Sequence, residues 1–341
     1  MKLAIIVPEI QNCGPVNVVL SIIKNLNLEK VDIMLIAVRK TNYSTSIFKF
    51  CNLGVFYLDD HKSYLNGLKE LTKDIDVVHS HGYFPDKLVS SLNMEIKKIS
   101  TIHCMFFKDY PKEYGFIKGY LGAFLHLYYL NKGNFNYIVG CSDSVSKYYK
   151  GMISSDEIVT TIHNGVDQDR FCKISLSEKI KLKQVNGFKD KNIFIYSGRL
   201  IRRKRVPELI EFFKKYAIEN SILLILGDGP ELGQCQTIAN DNVIFLGHVD
   251  SPEYYYQFSD FIMSNSSAEG YPMSILEAVS CGCYAFLSEI PSHQEFIDRN
   301  PQLGSFLVSL VERLDFSSED IDRNSLSAKE MANQYFNLYM N

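Results

Sequence analysis

Short apolar runs alternate with longer helical patterns along the whole chain. In the first half, β-branched runs predict buried strands at KLAIIV, VDIMLIAV, IDVVHS, ISTIH and NYIVGCS. Segments such as PVNVVLSIIKNL and FPDKLVSSLNMEI have helical spacing and lie between these runs. Strands that alternate with helices indicate βαβ units and a parallel sheet, whose strands are apolar throughout.

The second half repeats this scheme. Strands are predicted at NIFIYSG, SILLILG, VIFLG, DFIMSN and CYAFLS, and helices at RVPELIEFFKKYA and PMSILEAVS. A polar stretch without a strand signal, residues 163–190, lies between the two halves and indicates the boundary between two domains. We therefore predict an α/β protein with two Rossmann-like domains, 1–170 and 171–318, followed by a C-terminal helix in 319–341 that packs back on the first domain.

Composition narrows the class of protein. The chain has 341 residues, 46% of them apolar, and a formal net charge of −3. This balance argues against nucleic acid as a partner. Eight cysteines without a pairing pattern favour free thiols in a reducing compartment. The longest apolar stretch, FIKGYLGAFLHLYYL, is too short to span a bilayer, so we expect a cytoplasmic protein that at most lies on a membrane.

Charged and small residues follow several predicted strands. Arg199 comes after a strand end and precedes the basic run that contains Lys204, where cations can meet an anion at a helix N-terminus. Gly14, between the first strand and helix, allows a ligand to approach the backbone. A solvated basic loop and an ordinary turn are the structural alternatives for these two features.

Two glutamates flank the start of a predicted helix. Glu269 precedes the helix and Glu277 lies in its second turn, so both can face one cleft at different depths. Carboxylates can hold the hydroxyls of ribose or a sugar, and the N–H groups at the helix start can meet a phosphate. The residues that would supply these groups are Gly270, Tyr271, Pro272, Met273 and Ser274. A solvated helix residue and a loop charge are the alternative.

Histidines follow two strands of the first half. For His79 a structural role is favoured, whereas His81 and His103 together indicate a site. No set of His, Cys or carboxylate residues has metal-ligand spacing, so no metal or other cofactor is expected.

These motifs resemble those of the retaining glycosyltransferases of GT-B fold, in particular family 4. The resemblance covers nearly the whole chain and rests on EGYPMSILE, SGRLIRRK, LGDGPE, FLGHV and TIHNGVDQDRF, in the family's order. The chain departs from the family pattern at three places. Cys13-Gly14 stands where the family has two glycines, Arg205 stands where the family has a glycine, and EIPSHQE replaces the family's G-G-x-x-E.

The resemblance implies a role for each matched residue. Arg199 and Lys204 would neutralise the donor diphosphate, with Gly14 nearby. Glu277 would hold the ribose, Glu269 the donor sugar, and His103 would lie near the donor sugar and acceptor. It implies transfer of a hexose or N-acetylhexosamine from a nucleotide sugar, with UDP favoured, to a glycan or lipid-linked acceptor in bacterial lipopolysaccharide or capsule synthesis.

Other functions remain open from the sequence. A non-hydrolysing nucleotide-sugar epimerase and a catalytically silent nucleotide-sugar-binding subunit are the alternatives, and a nicotinamide-dependent dehydrogenase is disfavoured because no G-x-G-x-x-G follows the first strand. The acceptor is expected on the first domain. Phe106, Phe107, Tyr110 and Phe116 are predicted to line its mouth and to touch an anionic membrane, with a core helix as the equal alternative.

Overall fold

The chain folds into two compact units, each built on a parallel sheet. The computed structural model describes residues 1–11, 13–41, 55–216, 219–311 and 326–341. The first unit comprises Met1–Gly165 and Ala328–Asn341, and the second comprises Val166–Ser327. The α/β class and the Rossmann-like character of both halves are confirmed.

The first unit contains a seven-stranded sheet. Its strands are β1 Lys2–Glu9, β2 Asp32–Arg39, β3 Val55–Tyr57, β4 Val77–His81, β5 Lys97–Ile102, β6 Tyr137–Gly140 and β7 Val159–Thr161. Their order in the sheet is β3-β2-β1-β4-β5-β6-β7. All neighbouring strands are parallel, but the order in which they are added reverses: β2 and β3 lie on one side of β1, and β4 to β7 lie on the other. The carboxyl ends of β1 and β4 therefore flank the crevice where ligands bind in open α/β sheets.

Helices connect these strands and cover the sheet. They are α1 Gly14–Asn25, α2 Tyr64–Leu71, α3 Tyr83–Val89, α4 Phe106–Tyr114, α5 Phe116–Lys132 and α6 Asp143–Tyr149, with α13 Ala328–Met340 from the C-terminus. Helix α13 packs against α1, and the Lys97 ammonium donates to the Leu338 carbonyl at 2.9 Å. The C-terminal helix is therefore part of the first unit.

The second unit contains a six-stranded sheet. Its strands are β8 Asn192–Ser197, β9 Ser221–Leu226, β10 Val243–Gly247, β11 Phe261–Ser264, β12 Tyr284–Leu287 and β13 Gly304–Phe306. The order is β10-β9-β8-β11-β12-β13, so the reversal lies between β8 and β11. Its helices are α7 Leu176–Val185, α8 Val206–Tyr216, α9 Leu232–Ile238, α10 Pro252–Phe258, α11 Met273–Ser280 and α12 Pro291–Arg299.

The units divide at Gly165, five residues before the predicted boundary at residue 170. Val166 forms a bridge with Ser327, and its N–H donates to the Leu326 carbonyl at 2.7 Å. The Ser280 hydroxyl donates to the Phe171 carbonyl at 2.6 Å. Segment 166–171 therefore belongs to the second unit by its hydrogen bonds. The predicted boundary at residues 318 and 319 lies outside the described residues.

Two helices differ from the sequence pattern. Helix α3 ends at Val89 rather than continuing to residue 96, and the Ser90 hydroxyl bonds to the Lys87 carbonyl at 2.7 Å. Helix α7 lies in the polar stretch where no element was predicted. It begins with a capping box between Ser175 and Glu178 and has no buried residue, so it carries no apolar stripe to recognise.

Helices α4 and α5 form a hairpin that a buried polar chain fastens to β4. The ring of Phe106 stacks on His126 with centroids 3.8 Å apart. The Nδ1 atom of His126 lies 2.8 Å from the Tyr110 hydroxyl, and its Nε2 lies 2.7 Å from Asp86 Oδ2. The Ser80 hydroxyl donates to the other Asp86 oxygen at 2.5 Å. None of the described helices is long and apolar enough to cross a membrane.

Gly119 sets how closely the two helices of this hairpin pack. A Cβ there would lie 2.4 Å from the backbone of Pro111, whereas one at Gly122 would lie 3.5 Å from the Tyr110 ring. We expect G119A to destabilise the protein by about 1–3 kcal/mol through overpacking. The control G122A should be neutral or stabilise it by up to about 1 kcal/mol, because alanine favours helix. Thermal melts followed by circular dichroism measure both, and equal melting temperatures would contradict this packing.

Candidate functional site

The loops after β8 and β11 are joined at the reversal point of the second sheet. The carbonyl of Arg203 accepts hydrogen bonds from the Ser267 N–H at 2.8 Å and the Ser267 hydroxyl at 3.0 Å. The Arg203 guanidinium donates through Nη1 to the Ala268 carbonyl at 2.6 Å. These bonds place the basic turn 202–204 against the segment that leads to α11. Ligands bind at such points in open α/β sheets.

A buried ion cluster lies where the two loops meet. Glu269 is ion-paired through one oxygen with Lys204 and through the other with Arg203, whose Nη1 lies 3.2 Å away. Burial would raise the pKa of Glu269, but the charges of Lys204 and Arg203 outweigh it and lower that pKa well below its usual range. Burial lowers the pKa of Lys204, against the attraction of Glu269. Glu269 is therefore a permanent anion.

The structure places Lys204 and Glu269 in direct contact, which sequence spacing could not show. The sequence also missed Arg203, because four consecutive basic residues, 202–205, give no sign of which one turns inward. In the structure Arg202 and Arg205 are exposed, whereas Arg203 and Lys204 are mostly buried. Arg203 is therefore the second cation of the cluster.

Arg199 lies at the open end of the same loop. Its side chain is exposed, and its carbonyl accepts a hydrogen bond from the Tyr196 hydroxyl at 3.0 Å. The next strand end packs closely below: a Cβ at Gly227 would lie 1.9 Å from the Gly198 carbonyl oxygen, and the φ of Gly227 is +132°. Only glycine fits there. The backbone that carries Arg199 is therefore closely packed, although the residue itself is exposed.

Glu277 lies in the second turn of α11, as predicted, but it is buried. Burial raises its pKa to about 8; the charge of Arg170 opposes this rise, Glu253 adds to it, and the Tyr256 hydroxyl opposes it. Near neutral pH most of the Glu277 carboxyl is therefore protonated. The two glutamates therefore differ in charge. Different surroundings shift the pKa values of two carboxyl groups apart and so suit them to different roles.

The turn before α11 is compact. Pro272 is the N-cap residue of the helix, with Gly270, Tyr271 and Pro272 buried and Met273 and Ser274 half-buried. The first N–H groups of α11 have no partner within the helix, as at any helix start. They lie directly after the Glu269 cluster in the chain, so this turn is suited to an anion.

His293, which the sequence did not single out, lies near this cluster. Its Nδ1 is 3.0 Å from the Ser288 carbonyl, which can only accept, so Nδ1 carries the proton. Burial lowers the pKa of His293 to about 4, an effect that Glu269 opposes and Lys204 reinforces. Its Nε2 is a buried acceptor without a partner among the described residues. The motif EIPSHQE contained this residue, but a single histidine in it gives no signal.

A second cluster lies at the carboxyl ends of β4 and β5 in the first unit. His81 Nδ1 and His103 Nε2 are 2.9 Å apart, so one of these nitrogens donates to the other. Burial lowers the pKa of His103 to about 4 and holds that of His81 well below its usual range. Both rings are therefore neutral near pH 7. Gly14, the first residue of α1, follows β1, the neighbouring strand of the same sheet.

His79 has the structural role that was favoured. Its Nδ1 lies 2.8 Å from the Tyr339 hydroxyl and its Nε2 lies 2.7 Å from Thr101 Oγ1. Thr101 in turn bonds to the Tyr335 hydroxyl at 2.9 Å. The ring is fully buried and binds α13 to the sheet. His81, which pairs with His103, differs from His79 in that its Nε2 has no partner among the described residues.

The four aromatic residues that were predicted to line the acceptor mouth do not form one exposed surface. Phe106 is buried against His126, and the Tyr110 hydroxyl turns inward to the same ring. These two residues are four apart and share the inner face of α4. Phe107 is half-buried with its ring 4.9 Å from that of Phe124, and only Phe116 is largely exposed.

Two family models match the chain in sequence. The model described as Glycosyltransferase Family 4 matches residues 17–170, and the model described as Glycosyl transferases group 1 matches residues 178–304. The O-antigen biosynthesis glycosyltransferase WclY of Escherichia coli is 26% identical over 370 residues, which cover 100% of this chain and 98% of WclY.

Two further proteins are similar over part or all of the chain. The UDP-Gal:alpha-D-GlcNAc-diphosphoundecaprenol alpha-1,3-galactosyltransferase of E. coli is 30% identical over 167 residues, 45% of this chain and 41% of that enzyme. The crystal structure of Anabaena HepE in complex with UDP-glucose superposes with a TM-score of 0.75 at 16% identity, covering 98% of this chain and 95% of HepE.

The sequence matches, the structural match and the position of the candidate site all indicate a glycosyltransferase. The family models cover both units, and the HepE match extends over both sheets. The basic turn, Glu269 and the histidine pair follow the carboxyl ends of strands in those sheets, and Glu277 lies in the helix after β11. The chain belongs to glycosyltransferase family 4 and has the GT-B fold.

Proposed function

We propose that this glycosyltransferase moves a hexose or N-acetylhexosamine, with retention of configuration, from a nucleotide sugar to a glycan or lipid-linked acceptor in bacterial surface polysaccharide synthesis. A UDP-sugar is the favoured donor, since HepE was crystallised with UDP-glucose and the similar galactosyltransferase is named for UDP-Gal. The names of WclY and of that galactosyltransferase support a surface-polysaccharide acceptor. The proposed location is cytoplasmic and peripheral to the membrane.

The cluster of Glu269 with Lys204 and Arg203 carries this proposal. Two cations and an anion, buried together at the reversal point of a sheet, form a preorganised site for a charged ligand. Arg199, exposed at the edge of the same loop, adds a third cation that a diphosphate can reach. Glu269, held as an anion, is then suited to accept hydroxyl groups of the donor sugar.

The reaction breaks the bond between the anomeric carbon and the diphosphate. The bonding electrons go to the diphosphate oxygen. The acceptor hydroxyl oxygen forms the new bond on the same face, and its proton passes to the departing diphosphate. Lys204, Arg203 and Arg199, with the N–H groups at the start of α11, would stabilise the growing negative charge without a metal ion. His103, neutral because burial lowers its pKa to about 4, would orient the sugar or the acceptor by hydrogen bonding.

Glu277 is proposed to bind the ribose. Its buried carboxyl, with a pKa raised to about 8 by burial, accepts two hydroxyls fully only when it is ionised. The same carboxyl in its neutral form has one oxygen left as an acceptor. Ribose binding would therefore be coupled to loss of the proton from Glu277.

Product analysis tests the reaction class. Purified protein is incubated with UDP-glucose, UDP-N-acetylglucosamine or their GDP- and ADP-linked counterparts, with and without acceptor glycans, and products are identified by mass and by proton NMR of the anomeric centre. Transfer with the donor's anomeric configuration supports the proposal. Inversion contradicts retention, epimerised donor without acceptor indicates the epimerase, and donor binding without any turnover indicates the silent subunit.

The pH dependence of donor binding should report Glu277. UDP-glucose carries no group that titrates near pH 8, so its affinity for the wild type should rise between about pH 6 and pH 9 as the Glu277 carboxylate forms. E277Q cannot ionise and should bind about 10- to 100-fold more weakly at pH 9, without this rise. Isothermal titration calorimetry measures both. An equal rise in E277Q would remove Glu277 from the ribose site.

A stability measurement controls for folding of this variant. The pKa of Glu277 is raised in the folded state from 4.5 to about 8, so the folded protein binds that proton more tightly. This contribution to stability is complete below pH 4.5 and is lost as pH rises through 8. E277Q has no such proton to lose. Its melting temperature should therefore fall less than that of the wild type between about pH 5 and pH 8.

Arg203 and its exposed neighbour Arg202 form a matched pair of test positions. R203Q leaves Glu269 with Lys204 as its only strong cation, so kcat should fall about 10- to 100-fold. R202Q, one residue away and exposed, should stay near the wild-type value. Steady-state kinetics separates the two, with melting temperature as the control for folding. Equal kcat values for both variants would contradict the cluster's role.

The effect of chelation tests metal independence. Since Lys204, Arg203 and Arg199 can supply the positive charge, transfer should persist at its full rate in EDTA. The assay compares initial rates with EDTA, without it, and with EDTA followed by excess magnesium or manganese. Loss of activity that either ion restores would show that the leaving group depends on a cation.

Replacement of Lys204 by alanine would not test the chemistry alone. In the structure Lys204 is only 15% exposed and is paired with Glu269, so K204A leaves a buried carboxylate with fewer partners. Loss of one partner of a buried pair costs about 3–5 kcal/mol. Loss of activity in that variant would therefore mix chemistry with stability. R203Q also removes a partner of Glu269, so its kcat is interpreted only beside its melting temperature and beside the exposed control R202Q.

A further inference from the structure

Helix α5 exposes an apolar face that the fold does not use. Its inner positions, Gly119, Ala123, His126 and Leu130, are buried against the first unit. On the opposite side lie Ile117, Leu121, Phe124 and Tyr128, which we call the α5 outer face; they are 80%, 59%, 62% and 53% exposed. Both sets follow the same helical spacing, and the outer face extends about 17 Å along the helix.

Neighbouring residues extend this apolar surface. Phe116 and Tyr114, at the junction with α4, are 74% and 58% exposed, and Leu125 is partly exposed beside Phe124. Single exposed hydrophobic side chains are ordinary on a protein surface. A contiguous group of this size on one helix indicates a binding surface for a partner or a membrane.

Lysines lie at both ends of the α5 outer face, since Lys118 follows Ile117 and the Lys132 ammonium is 5.7 Å from the centre of the Tyr128 ring. Within residues 105–135 the exposed charged side chains are Lys108, Lys112, Lys118 and Lys132 against a single exposed acid, Glu113. The other acid of this segment, Asp109, is buried, and its carboxylate accepts from the Met105 N–H at 2.8 Å. The border of the apolar face is therefore positive. Apolar and aromatic side chains bordered by lysines suit the boundary of an anionic bilayer.

The hairpin presents this face as a rigid surface. Gly119 packs against the Pro111 backbone with no room for a Cβ, and His126 is held from both ring nitrogens, by Tyr110 and Asp86. Little side-chain or backbone ordering is then needed on docking, which favours association.

We propose that the α5 outer face docks the first unit on an anionic lipid bilayer. Ile117, Leu121 and Phe124 would enter the headgroup–acyl boundary, Tyr128 would lie at its polar edge, and the lysines would contact anionic headgroups. A second copy of the chain fits less well, because two such faces would bring their lysines together. The inference rests on the proposed function only in that a lipid-linked acceptor would be met at this surface.

Liposome flotation tests the docking. The full chain is mixed with vesicles of phosphatidylethanolamine containing about one quarter phosphatidylglycerol, or with phosphatidylcholine vesicles, at low salt and at about 0.5 M salt. Wild type should float with the anionic vesicles at low salt and less at high salt. L121E/F124E should partition about 100-fold more weakly, since each buried side chain contributes about tenfold. K118Q/K132Q should weaken binding mainly at low salt.

Helix α7 of the second unit provides the matched control. Leu176 and Ile180 are 73% and 53% exposed, so L176E/I180E also replaces two exposed apolar side chains by glutamate, on a different helix. This variant should float like the wild type. Both double variants change exposed positions and should keep the wild-type melting temperature. Equal loss of flotation in both would show a non-specific charge effect and overturn the proposal.

A tryptophan probe covers the case in which L121E/F124E fails to fold. The chain contains no tryptophan, so F124W and I180W each place a single reporter. Anionic vesicles should shift the F124W emission to the blue and brominated lipid should quench it, whereas I180W should respond to neither. Unchanged F124W emission at low salt overturns the proposal.

Two further measurements separate the remaining explanations. If light scattering finds a wild-type dimer that L121E/F124E makes monomeric, the face belongs to a second copy and the proposal fails. UDP-glucose binding by calorimetry, in the absence of vesicles, reports the donor site alone. Flotation without donor binding would support docking and count against the proposed function, and donor binding without flotation would do the opposite.

Discussion

The pairing of buried Glu269 with Arg203 and Lys204 is the constraint on which the second unit's site depends. A carboxylate removed from water is stable only with close opposite charge, and here both cations come from one short turn. Arg203 also binds the Ala268 carbonyl, and its own carbonyl accepts two bonds from Ser267. Backbone and side chain thus fix the loop after β8 to the loop after β11, the neighbouring strand of the sheet.

This constraint gives the two glutamates different properties. Glu269, beside two cations, keeps its charge at any ordinary pH, because they hold its pKa well below the usual range. Glu277 lies eight residues further on, inside α11, where burial raises its pKa to about 8. One group can act as a fixed anion, and the other can gain or lose its proton near pH 8. Their spacing in the chain says nothing about this difference, which comes from their surroundings.

The sequence predicted most of the fold because the strands are short, apolar and β-branched, a pattern that few alternatives share. It missed α7 because that helix buries no residue, and it extended α3 past Val89 because apolar residues continue beyond the turn. In the site, the spacing of Glu269 and Glu277 indicated two candidate residues around a helix start. Nothing in the sequence indicated that Arg203 turns inward. A 3₁₀ turn exposes and buries consecutive basic residues in a way that composition cannot distinguish.

The orientation of helix α5 could not be predicted from its hydrophobic pattern. Apolar residues lie on both of its faces, so their spacing cannot say which face meets the core. The buried chain from Ser80 through Asp86 to His126 decides the matter, because the imidazole needs partners at both nitrogens and finds them only on the inner side. Phe106 stacks on the same ring and is drawn inward with it. The polar groups of the core therefore orient the helix, and the apolar residues left outside, Ile117 and Phe124 among them, face outward as a consequence of that choice.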